Sequence, residues 1–200
     1  VIPAYETFTP LAALPHIFHA FTLRTDADTK SPAYEQQLVA AFGYHHFARA
    51  EQTHGNNVAL VTTPGHHTVA DALITRTRHL PLLIRCADCA PIFLVAPHAI
   101  GLIHSGKKGT LANIVAPTVA AMQRDLHVAP ADLIAVIAPS IGPCHYDLDL
   151  WTPLETQLRN AGIHHVHNER RCTACHLDRY FSYRAEKGQT GRMFSILALR

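Results

Sequence analysis

Residues 80–104 read LPLLIRCADCAPIFLVAPHAIGLIH, and the fold class turns on them. Leu82-Leu83-Ile84 and Ile92-Phe93-Leu94-Val95 are apolar at every position, without the alternation of a strand that keeps one wet face. Both runs are short and punctuated by proline, so they read as strands buried on both faces. Ile100 to His104 continues in the same texture. Sheets of this kind need cover on each side, which points to an α/β protein.

Working outward, Ile17 to Leu23, Val58 to Val61, Ala72 to Thr75, Asp132 to Ala138 and Phe194 to Leu199 are further short β-branched or apolar runs. A helix is expected from Ser31-Pro32 through Phe42, with Leu38, Ala41 and Phe42 on one face and Gly43 as its stop. Thr110 to Leu126 reads as the clearest helix. Leu111, Ile114, Val115, Thr118, Val119 and Met122 recur at helical spacing, and Pro117 is expected to kink it. Leu150 to Ala161 is another, entered near Thr152-Pro153 and closed by Gly162. No stretch resembles a linker or repeat. The expectation is a single α/β domain over residues 1–200, with a mixed sheet or two packed sheets flanked by helices.

With 48% hydrophobic and 16% charged residues the chain can bury a large core, which excludes disorder. A net charge of +2 and the lack of a Lys/Arg stripe argue against a nucleic-acid partner. The odd count of five cysteines, without an 18-residue apolar stretch or signal peptide, favours the reducing cytoplasm and no membrane association. Sixteen histidines are the compositional oddity, and charge should rise steeply below pH ~6.5.

Three separated segments carry the chemistry: Gln52-Thr53-His54-Gly55, Ala87-Asp88-Cys89-Ala90-Pro91 and His104-Ser105-Gly106. Each offers one ligand at a strand–loop junction. Two imidazoles and a thiolate, His54, Cys89 and His104, make a three-point zinc site whose fourth position stays open, the arrangement of catalytic sites. Cys86 with Cys89 and Cys172 with Cys175 are C-x-x-C pairs, a pattern that also suggests a structural Cys₄ site, but their separation is far from ribbon spacing. Cys144 is either a nucleophile or a packed thiol.

The segments form an ordered set. Gln52-Thr53-His54-Gly55-Asn56-Asn57-Val58 precedes Ala70-Asp71-Ala72-Leu73-Ile74-Thr75, then Ala87-Asp88-Cys89-Ala90-Pro91, then His104-Ser105-Gly106-Lys107-Lys108-Gly109. Pro139-Ser140-Ile141-Gly142-Pro143-Cys144-His145-Tyr146, Phe181-Ser182-Tyr183-Arg184 and Gly191-Arg192 follow. Over roughly residues 50–200 this resembles the laccase-domain family, once called multicopper polyphenol oxidases, which includes YfiH-like peptidoglycan-editing factors and purine nucleoside phosphorylases. The resemblance implies a YfiH-like architecture and zinc on His54, Cys89 and His104. It also implies phosphorolysis of adenosine, inosine or methylthioadenosine, with adenosine deamination as a related activity. Where the family usually carries His-Ala-Gly-Trp-Arg-Gly, this chain has Lys107-Lys108 in place of Trp-Arg.

Within that frame Asp88, Cys89 and His104 are the expected catalytic residues, with Asp88 shuttling a proton. Zinc lowers the pKa of bound water from 15.7 toward about 7, and the resulting hydroxide would attack C6 of adenine. Phosphate is expected on Lys107 and Lys108, at the mouth of the following helix. Arg24 and Arg184 are expected to meet a substrate oxyanion, and Ser140 to shape the pocket floor. Two alternatives stand beside this reading. One is a copper-dependent polyphenol oxidase, although His165-Val166-His167 is the only H-x-H in the chain. The other is a hydrolase with Cys89 as nucleophile and His104 as base, acting on peptidoglycan precursors.

Overall fold

The computed structural model describes residues 3–200. Its strands are β1 (Tyr5–Glu6), β2 (Ile17–Thr22), β3 (Ala48–Ala50), β4 (Val58–Leu60), β5 (Gly65–His67), β6 (Ala72–Thr75), β7 (Leu82–Cys86), β8 (Ala90–Ala96), β9 (Ala99–Ser105), β10 (Ile134–Ile137), β11 (His165–Asn168) and β12 (Met193–Leu199). Its helices are α1 (Thr9–Ala12), α2 (Pro32–Ala41), α3 (Lys107–Leu111), α4 (Val115–Leu126) and α5 (Trp151–Asn160).

Two mixed sheets form. The first runs β1-β2-β12-β7-β3-β5 and the second β11-β10-β8-β9-β6-β4. Both are antiparallel through their centres, with parallel pairs toward the edges, where β3 meets β7 and β5, β4 meets β6, and β10 meets β11. The strands without alternation are buried on both faces. Along β8, Ile92 and Leu94 join a cluster with Val119 and Met122 of α4 and Leu154 and Leu158 of α5. Phe93 and Val95 point the other way, into a cluster with Leu82, Ile84 and Leu197 of the first sheet. Along β12, Phe194 and Ile196 pack with Leu38 and Val39 of α2, whereas Met193, Leu197 and Leu199 join the inter-sheet cluster. The order of layers is therefore helix, sheet, sheet, helix.

The expected helix from Thr110 to Leu126 is two helices. The chain breaks after Leu111, Asn113 takes a left-handed φ of 50°, and α4 starts afresh at Val115. Pro117 falls in the first turn of α4, where its missing N–H costs no helical hydrogen bond, so it does not act as a mid-helix kink. The short strands β1, β3, β5 and β11 were not legible. Each has at most four residues and a partly exposed or polar face, and their pairing partners hold them. Among the described residues no helix is long and apolar enough to cross a membrane.

Candidate metal centre

Two connections that pass between the sheets carry candidate ligands. The chain leaves the first sheet at Cys86 and enters the second at Ala90, so Ala87-Asp88-Cys89 is the whole crossover. His54 lies between β3 of the first sheet and β4 of the second. His104 sits near the end of β9, opposite Pro91 of β8. The ligand atoms of His54, Cys89 and His104 all lie within 4.8 Å of one another. The two imidazole rings meet edge to face, their centroids 4.8 Å apart.

The local backbone is bent to achieve this. His54 and Asp88 take left-handed φ values of 63° and 87°, a conformation uncommon outside glycine and tolerated best by Asn, Asp and His. Gly106 is required by proximity, since a Cβ there would stand 2.8 Å from Cys89 Sγ and 3.2 Å from His54 Cδ2. Gln52 ties the His54 loop to β7: its side-chain amide donates to the Arg85 carbonyl at 2.6 Å and accepts from the Arg85 amide at 2.9 Å.

Beneath the ligands lies Asp71, fully buried at the start of β6. Its carboxylate accepts hydrogen bonds from Thr53 Oγ1 (2.9 Å), the amides of His54 (2.9 Å) and Gly55 (2.7 Å), and His104 Nδ1 (2.8 Å). Burial works to raise its pKa, but these donors outweigh it and bring the group down to about 2. A carboxylate can only accept, so Nδ1 of His104 carries its proton and Nε2 is left as the ligand atom. Asp71 belongs to the Ala70–Thr75 segment, whose residues alone do not show this role. Its one signal is an acid at the mouth of an apolar strand.

Burial opposes ionisation of Cys89, yet His104 and His54 beside the sulfur bring its pKa down to about 6. Burial likewise opposes the charge on His104, and Cys89 and Asp71 raise it to about 9. Each group thus favours the charged form of the other, thiolate for Cys89 and imidazolium for His104. Converging soft and borderline donors, an anchored tautomer and an approach open only to glycine fit a divalent zinc-like ion.

The cluster opens into a cavity of about 1030 Å³. Its walls carry seven basic side chains, Lys30, Arg85, Lys107, Lys108, Arg184, Lys187 and Arg192, against the acids Glu51 and Asp88. Tyr146 and Tyr183 line it as well, and the Arg184 guanidinium lies 4.8 Å from the Tyr146 ring centre. Lys107 and Lys108 are exposed and begin α3 rather than preceding a helix at Thr110.

Three expected site residues sit differently. Both carboxylate oxygens of Asp88 are engaged, Oδ1 by the Thr173 hydroxyl and Oδ2 by the Arg184 amide, each at 2.7 Å. Ser140 is fully buried, and its Oγ accepts from the Trp151 indole at 2.8 Å, so it does not line the cavity. Arg24 lies in a separate, smaller hollow, paired with Glu186 at 2.6 Å and stacked 4.5 Å from the Phe181 ring centre. The C-x-x-C pairs also part company. Cys86 is buried in β7, its pKa driven well up by burial, while Cys172 and Cys175 gather with Cys144 and His145.

A family model described as multi-copper polyphenol oxidoreductase laccase matches residues 21–148 and 145–200. The chain is 30% identical to the purine nucleoside phosphorylase YlmD of Geobacillus stearothermophilus, across 98% of this chain and 86% of that protein. It is 31% identical to the purine nucleoside phosphorylase of Deinococcus radiodurans, across 95% and 93%. The fold superposes on the crystal structure of YlmD from Geobacillus stearothermophilus with a TM-score of 0.87 at 26% identity, covering 93% of each chain. On the Bacillus licheniformis hypothetical protein YfiH the TM-score is 0.88 at 24% identity, covering 99% and 97%. With the ordered motifs, the two-sheet fold and these relatives in agreement, the chain belongs to the multi-copper polyphenol oxidoreductase laccase family.

Proposed function

We propose that this chain is a zinc-dependent purine nucleoside phosphorylase acting on adenosine, inosine or methylthioadenosine, with adenosine deamination as a side activity of the same cavity. The observation that carries the reading is the opening of His54, Cys89 and His104 into a cavity walled by basic side chains. The two purine nucleoside phosphorylases to which the chain is similar support the same reaction class. Phosphorolysis needs a phosphate oxygen brought to the anomeric carbon while the glycosidic electron pair moves onto the purine. Both the nucleophile and the transition state are anionic, so an excess of cations is the expected wall.

His54, Cys89 and His104 would hold the zinc, which supplies Lewis acidity in the open coordination position. Lys107 and Lys108 hold phosphate as mobile point charges, without the bidentate fork that an arginine would bring. Arg184, stacked on Tyr146, is braced to meet a further oxyanion. Tyr146 and Tyr183 offer flat faces to a purine. Asp88, with both oxygens taken, acts by fixing the Thr173 hydroxyl and the Arg184 backbone amide rather than by moving a proton.

Zinc-loaded protein should release free purine from these nucleosides only when phosphate is present, followed by chromatography of the base and sugar phosphate. His54→Ala, Cys89→Ala and His104→Ala should each lower kcat/KM by at least about 100-fold, the scale of losing several kcal/mol of metal stabilisation. Lys107→Ala with Lys108→Ala should raise the KM for phosphate by about tenfold, the order of one charge-assisted hydrogen bond, and move that for the nucleoside less. A zinc-loaded protein that leaves the panel intact with and without phosphate would refute the reading.

A further inference from the structure

We propose that Cys144, His145, Cys172 and Cys175 form a second zinc site, closed and tetrahedral, that staples the wall of the cavity. This does not depend on the reaction assigned above. The four ligand atoms lie within 4.8 Å of one another. Cys144 Sγ is 3.4 Å from Cys175 Sγ, and His145 Nδ1 is 3.4 Å from each of these sulfurs and 3.9 Å from Cys172 Sγ. A zinc–sulfur bond of about 2.3 Å implies a tetrahedral edge of about 3.8 Å, so the four donors already outline the polyhedron of one ion. The sulfurs at 3.4 Å are too far apart for a disulfide, whose bond is about 2.05 Å.

The backbone builds the site from two loops. Ser140 and Cys172 form a parallel bridge, with the Ser140 amide on the Arg171 carbonyl and the Thr173 amide on the Ser140 carbonyl, both at 3.2 Å. Thr173–Cys175 is a single 3₁₀ turn, so the C-x-x-C folds back to aim both sulfurs one way. The Gly142 amide donates to Cys172 Sγ at 3.2 Å, a contact that suits a thiolate. Gly142 is itself held by Trp151, whose ring would lie 2.5 Å from any Cβ there. Three thiolates and a neutral imidazole complete the Cys₃His set of structural zinc, with three thiol protons passing to solvent on binding.

The loops so joined bear on the cavity. Thr173, inside the C-x-x-C, donates to Asp88, the neighbour of Cys89, and Tyr146, next to His145, carries the Arg184 guanidinium. The staple would fix both.

Zinc content of protein purified under reductant and dialysed against metal-free buffer tests the proposal. The wild type should hold two zinc ions per chain. Cys144→Ser with Cys175→Ser should hold one, and so should His54→Ala with His104→Ala. If the serine variant does not fold, the His54→Ala/His104→Ala protein, stripped and titrated with Co²⁺, should show thiolate-to-cobalt charge transfer with tetrahedral ligand-field bands at one equivalent. In the wild type, Cys144, Cys172 and Cys175 should resist iodoacetamide until a strong chelator is added. A wild type holding one zinc that survives the serine substitutions, no cobalt spectrum, or rapid alkylation of all three thiols before chelation would each overturn it.

Discussion

Asp71 accepts four hydrogen bonds at full burial, which uses its acceptor capacity and keeps it ionised at neutral pH. Asp71→Asn would bring an N–H₂ group against donors and release His104 Nδ1, so a chelator competition should show zinc affinity at the cluster falling by about 10–100-fold. A pH dependence follows from the neighbouring shifts. Cys89, brought down from its usual value to about 6, is a thiolate above that pH, and its ionised form is lost as pH falls through it. In metal-stripped protein its alkylation by iodoacetamide should therefore titrate near 6 rather than near 9. His104, raised to about 9, is imidazolium below that pH and must shed its Nε2 proton to bind an ion. Zinc affinity should accordingly fall as pH drops below about 9 and fall more steeply below about 6, read by calorimetry in buffers of different ionisation enthalpy. That His54, Cys89 and His104 are donors of the kind a metal takes was legible from residue type and setting, and the structure brings the three together. Asp71 was not legible, because a carboxylate's value here depends on which donors surround it.

At the scale of elements, the turn after β9 must pass so close to two ligands that only glycine fits. Gly106→Ala would drive its methyl into Cys89 Sγ, and neither a sulfur anchored on a crossover nor a ring held on a left-handed residue can retreat without moving backbone. Zinc affinity should drop by about tenfold or more, and the urea midpoint of the metal-free protein should fall as well, because the clash is between protein atoms and is there with or without an ion. Strands such as β8 and β12 were legible because a run buried on both faces leaves a pattern in the chain itself. The division of α3 from α4 was not, since the apolar spacing continues unbroken through Asn113 while the backbone does not. Lys107 and Lys108 show the same limit: they begin a helix where the chain suggested a loop before one.

Across the whole molecule the two sheets are held face to face by a single shared core. Phe93 is fully buried there, its ring centre 5.3 Å from that of Phe8. Phe93→Ala should cost about 3–5 kcal/mol in urea unfolding of the zinc-loaded protein, and the loss should reach the metal centre because Cys89 sits on the connection between these sheets. The sequence by itself determined the α/β class, the doubly buried strands and the kinds of atom available for a soft metal. These are set by local pattern and by the chemistry of single side chains. Only the tertiary structure decided which thiols assemble with which imidazoles, dividing five cysteines between two clusters and leaving Cys86 outside both. It also withdrew Ser140 and Arg24 from the cavity. Such choices depend on how crossovers between sheets fold distant segments together, and no spacing along the chain encodes that distance in space.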